Sequence, residues 1–440
     1  MTDKETTFLD KVKELGLELN SDLEKAFIDS EFSKKSLFIF GQAGTGKSQY
    51  INAMTRLSQK SIAVVAPTGI AAINVKGQTI HSFFQLPLGL ICRDTISINN
   101  TVTEKIRGID LLIIDEISMV RIDVLMGIDL LCRLALDNQK VPFGGLQVVI
   151  IGDLYQLPPV VQSEERDLLK SMFHSKWFFK NPIIDHFEVI EFNKVYRQKD
   201  QIYKDILSMI RVGTIGLQSL AMLNSRVTDD VPKDTIMVVT TNRHADNINI
   251  QNLNRLSAPV KTFNGKVIGS YPESYQIAPS KLDLKVGAQV MVLRNIKEDN
   301  IYNGTMGIVE SIDVDDKSVV IRDLSDGKKK TIREATWERY SYGLNSEGKV
   351  SKSAIGKYTQ IPLKLAFAVT VHKTQSLSFD KAAINLSSGV FEFGQVYVAL
   401  SRIRSLSGLY LSRRLRSTEV MVDPEVAEFV KSLKVIEGVK

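Results

Sequence analysis

The sequence predicts an α/β protein with two parallel-sheet cores and a small antiparallel barrel inserted into the second. Three observations carry this. Short, near-continuous apolar runs alternate with helical stretches up to about residue 190, as strands of a parallel sheet covered on both faces require. The same texture returns at "TIMVVTT" (235–241), "KAAINL" (381–386) and "GLYLSR" (408–413). Between the halves of this second set, apolar and polar residues alternate instead, with the period of half-buried strands.

In chain order, the first core has strand candidates "SLFIF" (36–40), "SIAVVAP" (61–67), "DLLIIDE" (110–116), "LQVVIIGD" (146–153) and "FEVIEF" (187–192). The stretch from about 80 to 105 is irregular and mixed, and reads as an insertion in this core. The alternating runs are "VGAQVMVLRN" (286–295), "GTMGIVESID" (304–313) and "SVVIRDLSDGKKKTIRE" (318–334), with Asp326-Gly327 as a hairpin signal. The expected division is a first core over 1–190, a second over 191–295 and 366–440, and the barrel over 296–365.

Composition narrows the class. The chain has 440 residues, 44% of them hydrophobic and 24% charged, which suits two or more packed domains rather than a disordered chain. A net charge of +6 is compatible with a nucleic-acid partner without proving one. Cys92 and Cys132 form no CxxC pair and have no histidine cluster beside them, so neither a zinc site nor a disulfide framework is expected. The charged N-terminus lacks a signal-peptide core, and no run of about 18 apolar residues suggests a membrane span. An intracellular protein is expected.

"GQAGTGKS", Gly41 to Ser48, fits GxxxxGK[ST] and lies between a strand and a helix. In that context backbone N–H groups of Gly41, Ala43, Gly44, Thr45 and Gly46 curl around phosphate oxygens. Lys47 reaches the β- and γ-phosphates, and Ser48 ligates Mg²⁺. The plain alternative, a glycine-rich strand–helix turn, explains neither the full pattern nor both flanks. "LLIIDE" ends a strand on Asp115, placed to hold Mg²⁺, and on Glu116, placed to act as base on the attacking water. In "GDLYQLPPV", Gln156 can bond the γ-phosphate and that water. Arg197 in "KVYRQ" and Arg402 in "VALSRIRS" are candidates for charge on the transferring phosphoryl group, although spacing alone favours surface ion pairs.

Together with "APTGIAA", "TIHSFF", "PFGGLQVVIIGDLYQLPPV", "VYRQ", "NGTMGIV", "AVTVHKTQSLSFD" and "VYVALSRIRS", these motifs occur in the order seen in superfamily 1, group B, DNA helicases. The chain resembles most the petite-integration-frequency (PIF-type) branch, with its bacterial and phage-encoded members, from about residue 36 to 413. The resemblance implies two RecA-like P-loop cores, a wedge subdomain near 80–105 and an SH3-like β-barrel insertion near 295–365. It implies ATP and Mg²⁺ as cofactors, Lys47 and Ser48 on phosphate and metal, Asp115 and Glu116 as metal acid and base, Gln156 as sensor, and Arg197 and Arg402 as arginine fingers from the second core. Tyr196 is implied to stack on the adenine. Thr68, His81, Phe84 (or Phe83), Thr370, His372 and Lys373 are implied to contact the strand, although a lone histidine is more often structural and a Phe pair more often core.

The implied activity is ATP-driven 5′-to-3′ translocation on single-stranded DNA, with unwinding of duplex or forked DNA in replication, recombination or repair. A monomer is expected, off the membrane and acting with replication or repair proteins. Its expected place is the cytoplasm of a bacterium or phage-infected cell, or the nucleus or mitochondrion of a eukaryote. The alternatives are a helicase remodelling RNA or RNA–DNA hybrids, and a RecD-like subunit of a larger complex. The sequence departs from the family at Leu23, where an adenine-reading glutamine is usual, at Ser376, where a glycine is usual, and at Phe367, where a tryptophan is usual.

Overall fold

The structure, a computed structural model, describes residues 1–434 except 88, 199, 234, 295, 297–300, 302–303, 345–349 and 376. Ser376 therefore lies outside the described residues. The chain divides into two units, one of residues 1–197, 341–353 and 422–440, the other of residues 198–340 and 354–421.

The first unit holds β1 (Leu37–Gly41), β2 (Ile62–Ala66), β3 (Gln78–Thr79), β4 (Leu111–Ile114), β5 (Gln147–Gly152) and β6 (Glu188–Phe192). They form one sheet in the order β3-β2-β4-β5-β1-β6, and every neighbouring pair is parallel. All five expected strands are present. β3 is two residues long, too short to show a period. Leu37, Ile39, Leu111, Ile113, Val149 and Ile151 share one buried cluster with Tyr50 of the helix Lys47–Leu57. The charged N-terminus is a helix, Asp3–Glu14, capped reciprocally by Thr2 and Glu5. It buries Phe8, Leu9 and Val12 in the same cluster.

The irregular stretch is narrower than expected. Helix Ile80–Phe84 opens it and helix Asn100–Arg107, N-capped by Asn99, closes it. The second helix packs on helix Ile122–Ala135 as an ordinary crossover element before β4. Among the described residues of this stretch, those of 85–87 and 89–99 lack regular structure beyond the single turn Arg93–Thr95.

Two assignments near the ends of the units change. The first unit runs past the expected boundary at 190 to Arg197. It also takes the C-terminal helix Pro424–Ser432, which had been expected in the second core. The Phe429 ring stacks on Phe179 with centroids 4.3 Å apart, and Trp177 Nε1 donates to Asp423 at 3.0 Å. A buried indole N–H needs such an acceptor.

The second unit contains β7 (Ile236–Val239), β8 (Lys261–Asn264), β9 (Lys266–Gly269), β10 (Lys281–Leu284) and β11 (Gln289–Val292). β12 (Met306–Asp313), β13 (Ser318–Asp323), β14 (Lys329–Arg333), β15 (Ala335–Leu344) and β16 (Val350–Gln360) follow, the end of β15 and the start of β16 falling in the first unit's stretch 341–353. Last come β17 (Leu363–Leu365), β18 (Ala368–Thr370), β19 (Ala382–Asn385) and β20 (Leu409–Leu411). A second parallel sheet has the order β18-β7-β19-β20. The antiparallel strands form sheets β14-β13-β12-β11-β17, β15-β16-β9 and β10-β8. This region begins near Lys261 rather than at 296, because β11 pairs with both β12 and β17. The expected hairpin joins β13 to β14, with Gly327 at φ +70°.

Candidate nucleotide and nucleic-acid site

The phosphate loop leaves the carboxyl end of β1. Gly44 and Gly46 take φ of +87° and +93°, values that a side chain resists. Space is also closed at Gly44, where a Cβ would lie 2.5 Å from the Cβ of Arg197. Thr45 is buried and its hydroxyl donates to Gln42 O at 2.9 Å. Lys47 Nζ donates to Gly41 O at 2.6 Å and Gln42 O at 2.8 Å, so its ammonium sits at the mouth of the loop. Ala43 is buried and Ser48 exposed.

Asp115 follows β4 and is buried, with its Oδ1 accepting from Glu116 N–H at 2.9 Å. Burial, and then the Glu116 charge, push its carboxyl up to about 7, while that N–H and the Lys47 ammonium pull the other way. Glu116 takes the left-handed conformation, φ +49°, a strained backbone for a non-glycine residue at a site. Gln156, past the end of β5 within "GDLYQLPPV", is buried and donates to Asp153 Oδ2 at 3.5 Å. The order β4-β5-β1 makes the three carboxyl ends neighbours.

The segment after β6 returns to the phosphate loop. Tyr196 N donates to Gly44 O at 2.9 Å, which is why Arg197 abuts Gly44. Arg197 therefore belongs to the first unit and is not supplied by the second core. The Tyr196 hydroxyl donates to Glu18 O at 3.0 Å, and Lys194 lies over its ring at 5.3 Å while pairing with Glu18. Leu23, at the position of the usual glutamine, is buried in the first unit's core and presents no polar atom from its side chain.

Among the expected strand contacts, Thr68 accepts from Ala71 N–H at 3.2 Å and caps the turn Gly69–Asn74. His81 is half-buried, and its imidazole is held below the ordinary value by burial and then by Arg121, against Asp123. Phe84 does not fit its expected role. It and Phe83 are fully buried, edge to face at 4.8 Å, so neither ring offers a face to a base. Thr370 ends β18 and is buried, with no partner for its hydroxyl among the described residues. His372 is half-buried, its imidazole lowered by burial, and Lys373 is exposed. Arg402 is buried, donating through Nε to Val398 O at 3.1 Å and through Nη2 to Ser401 Oγ at 2.9 Å.

Sequence reasoning singled out Tyr196 but missed its cluster with Lys194 and Glu18, because Glu18 lies 178 positions from Tyr196. It also missed Lys364, which burial and then Lys373 push down to about 8. No motif marked Glu18 or Lys364.

No three His, Cys, Asp or Glu side chains are grouped to hold a metal among the described residues. A Mg²⁺ that arrives with nucleotide phosphates needs only one or two carboxylates. The buried Asp115 beside Glu116, with Lys47 as a counter-charge, fits that need. A cradle, an acid pair and an amide on three adjacent carboxyl ends define the first unit as a P-loop nucleoside-triphosphatase core.

The PIF1-like helicase model matches residues 19–215, and the model of the DNA helicase Pif1 2B domain matches residues 274–312. The chain is 31% identical to the ATP-dependent DNA helicase Pif1 of Bdellovibrio bacteriovorus, over 95% of this chain and 93% of that protein. The crystal structure of Bacteroides sp Pif1 with ADP-AlF4 is 32% identical and superposes with a TM-score of 0.87, covering 94% of this chain and 97% of that one. Bacteroides Pif1 bound to single-stranded DNA is 33% identical, with a TM-score of 0.69 over the same shares. The chain belongs to the PIF1-like helicase family.

Proposed function

We propose that the chain moves 5′ to 3′ along single-stranded DNA and unwinds duplex or forked DNA. As a PIF1-like helicase it is an ATP-dependent DNA helicase. The observation that carries the site assignment is the meeting of Lys47, Asp115–Glu116 and Gln156 at the ends of β1, β4 and β5. Loop N–H groups from Gly41 to Gly46 and the ammonium of Lys47 hold the phosphates of ATP. Ser48 and Asp115 hold Mg²⁺, which supplies charge neutralisation on the phosphates when bound. Glu116 takes the proton of the attacking water, and Gln156 orients that water. Arg402 is the arginine finger from the second core. Arg197 acts from the first unit, beside the phosphate loop, and Tyr196 flanks the nucleotide base.

The two parallel-sheet units are RecA-like cores, residues 85–99 the wedge, and the antiparallel strands from Lys261 to Leu365 an SH3-like insertion. Thr68, His81, Thr370, His372 and Lys373 carry the strand, through hydroxyl and N–H donors and one exposed cation. Bacteroides Pif1 bound to single-stranded DNA supports this partner. A monomer acting with replication or repair proteins, in the cytoplasm or in a eukaryotic nucleus or mitochondrion, fits the reading.

Lys47→Ala tests the site. Its ATP turnover with oligo-dT should fall at least about a hundredfold, since one transition-state charge contact is lost, with an unchanged melting temperature. Unwinding at the parent rate would refute the assignment. Greater stimulation by poly-U than by poly-dT would favour an RNA substrate instead.

A further inference from the structure

Residues 89–96 have no strand and only one helical turn, yet they are fixed to the first unit at specific atoms. Arg121 Nη2 donates to Gly89 O at 2.8 Å. Asp123 Oδ2 accepts from Ile91 N–H at 2.9 Å. Arg121 and Asp123 grip each other twice, Nε to Oδ1 at 2.9 Å and Nη2 to Oδ2 at 2.5 Å, and Nη1 reaches Glu165 Oε2 at 2.5 Å. Asp123 is fully buried, and the Arg121 side chain is 11% exposed. The backbone beside this clasp is itself held, since Ile122 N donates to Lys176 O at 3.1 Å. Apolar packing closes the other side. A Cβ at Gly127 would lie 2.9 Å from Ile91 Cγ2 and 3.3 Å from Ile96 Cδ1.

Buried ion clusters of this kind stabilise little compared with apolar side chains of the same volume, and in some proteins their role is to fix one arrangement. This one joins the segment to the start of helix Ile122–Ala135. It follows the acid pair through a single turn, Ile117–Met119, in which Ile117 and Ser118 are buried. Its charges also reach His81.

We propose that Arg121, with Asp123, is a positioning residue that holds residues 89–96 rigid, so that strand separation depends on it while ATP hydrolysis does not. The proposal rests on the reading of residues 85–99 as the wedge. The test uses Cys92, a half-buried thiol within the segment. The other cysteine, Cys132, is fully buried with its thiol pushed up by burial, so a maleimide fluorophore goes to Cys92. Arg121→Gln removes the clasp. Gly127→Val pushes Ile91 outward and leaves the charges intact, which guards against a failure of Arg121→Gln to fold.

Both variants should lower the anisotropy of the probe at Cys92. Both should slow unwinding of a 5′-tailed duplex by about tenfold, the penalty of a loosely supported working surface. Turnover of ATP at saturating oligo-dT should stay within about twofold of the parent, a split that general loss of structure does not produce. Unchanged anisotropy in both variants overturns the positioning role. Parallel loss of hydrolysis and unwinding overturns the separation of the two functions. Lowered anisotropy with parent-like unwinding overturns the proposal through the wedge reading beneath it.

Discussion

Lys47 and Asp115 show how local sequence fixes where a side chain stands. A P-loop lysine and an acid at a strand end are placed by their own few residues, and both were legible. Phe84 and Arg197 were not, because their roles depend on what packs around them. The five-residue helix Ile80–Phe84 turns His81 partly outward and both phenyl rings inward, and no motif encodes that rotation. Arg197 sits where a hydrogen bond from Tyr196 to Gly44 brings it, a contact between distant parts of the chain. Two predictions belong here. The folded chain holds His81 and His372 below their ordinary pKa, so the unfolded chain binds protons near pH 6.5 that the folded one refuses. Their contribution to stability is therefore lost as pH falls through that value. Asp115, pushed up to about 7, works the other way over the same range, so the His81 part is read by difference: from about pH 7.5 down to about 5.5 the melting temperature of His81→Gln should gain on that of the parent. Lys373 is exposed, as a phosphate contact requires. Lys373→Ala should weaken single-strand affinity and lower the slope of log affinity against log salt by about 0.7, read by fluorescence titration. An unchanged slope would remove Lys373 from the track.

Strands were legible in β1, β2, β4 and β5, each a run of three or more apolar residues. β18 was hidden in "AVTVHKTQS", where three strand residues precede a polar turn. The inserted sheet began earlier than expected: Gln289–Val292 lies in an alternating run, but its place in that sheet is set by its partners β12 and β17, which are distant in the chain. The C-terminal helix was misassigned because its docking depends on Phe179 and Trp177, some 250 positions earlier in the chain. That docking carries a prediction. Phe429→Ala should destabilise the first unit by about 2 kcal/mol, from lost aromatic stacking and burial. Chemical denaturation followed by tryptophan fluorescence would measure it, and a change below about 0.5 kcal/mol would mean that the helix is not held by the stack.

Across the whole chain, the sequence identified the engine more directly than its load. The net charge of +6 permits a nucleic-acid partner without naming one. The DNA strand follows from membership of the PIF1-like family. Polarity is fixed by no residue's chemistry. The most direct measurement is therefore unwinding of two matched duplexes, one with a 5′ single-stranded tail and one with a 3′ tail, under ATP and Mg²⁺. The account predicts that the 5′-tailed duplex is opened and the 3′-tailed one is not, with no opening of either by Lys47→Ala. Equal opening of both, preference for the 3′ tail, or opening by Lys47→Ala would contradict it.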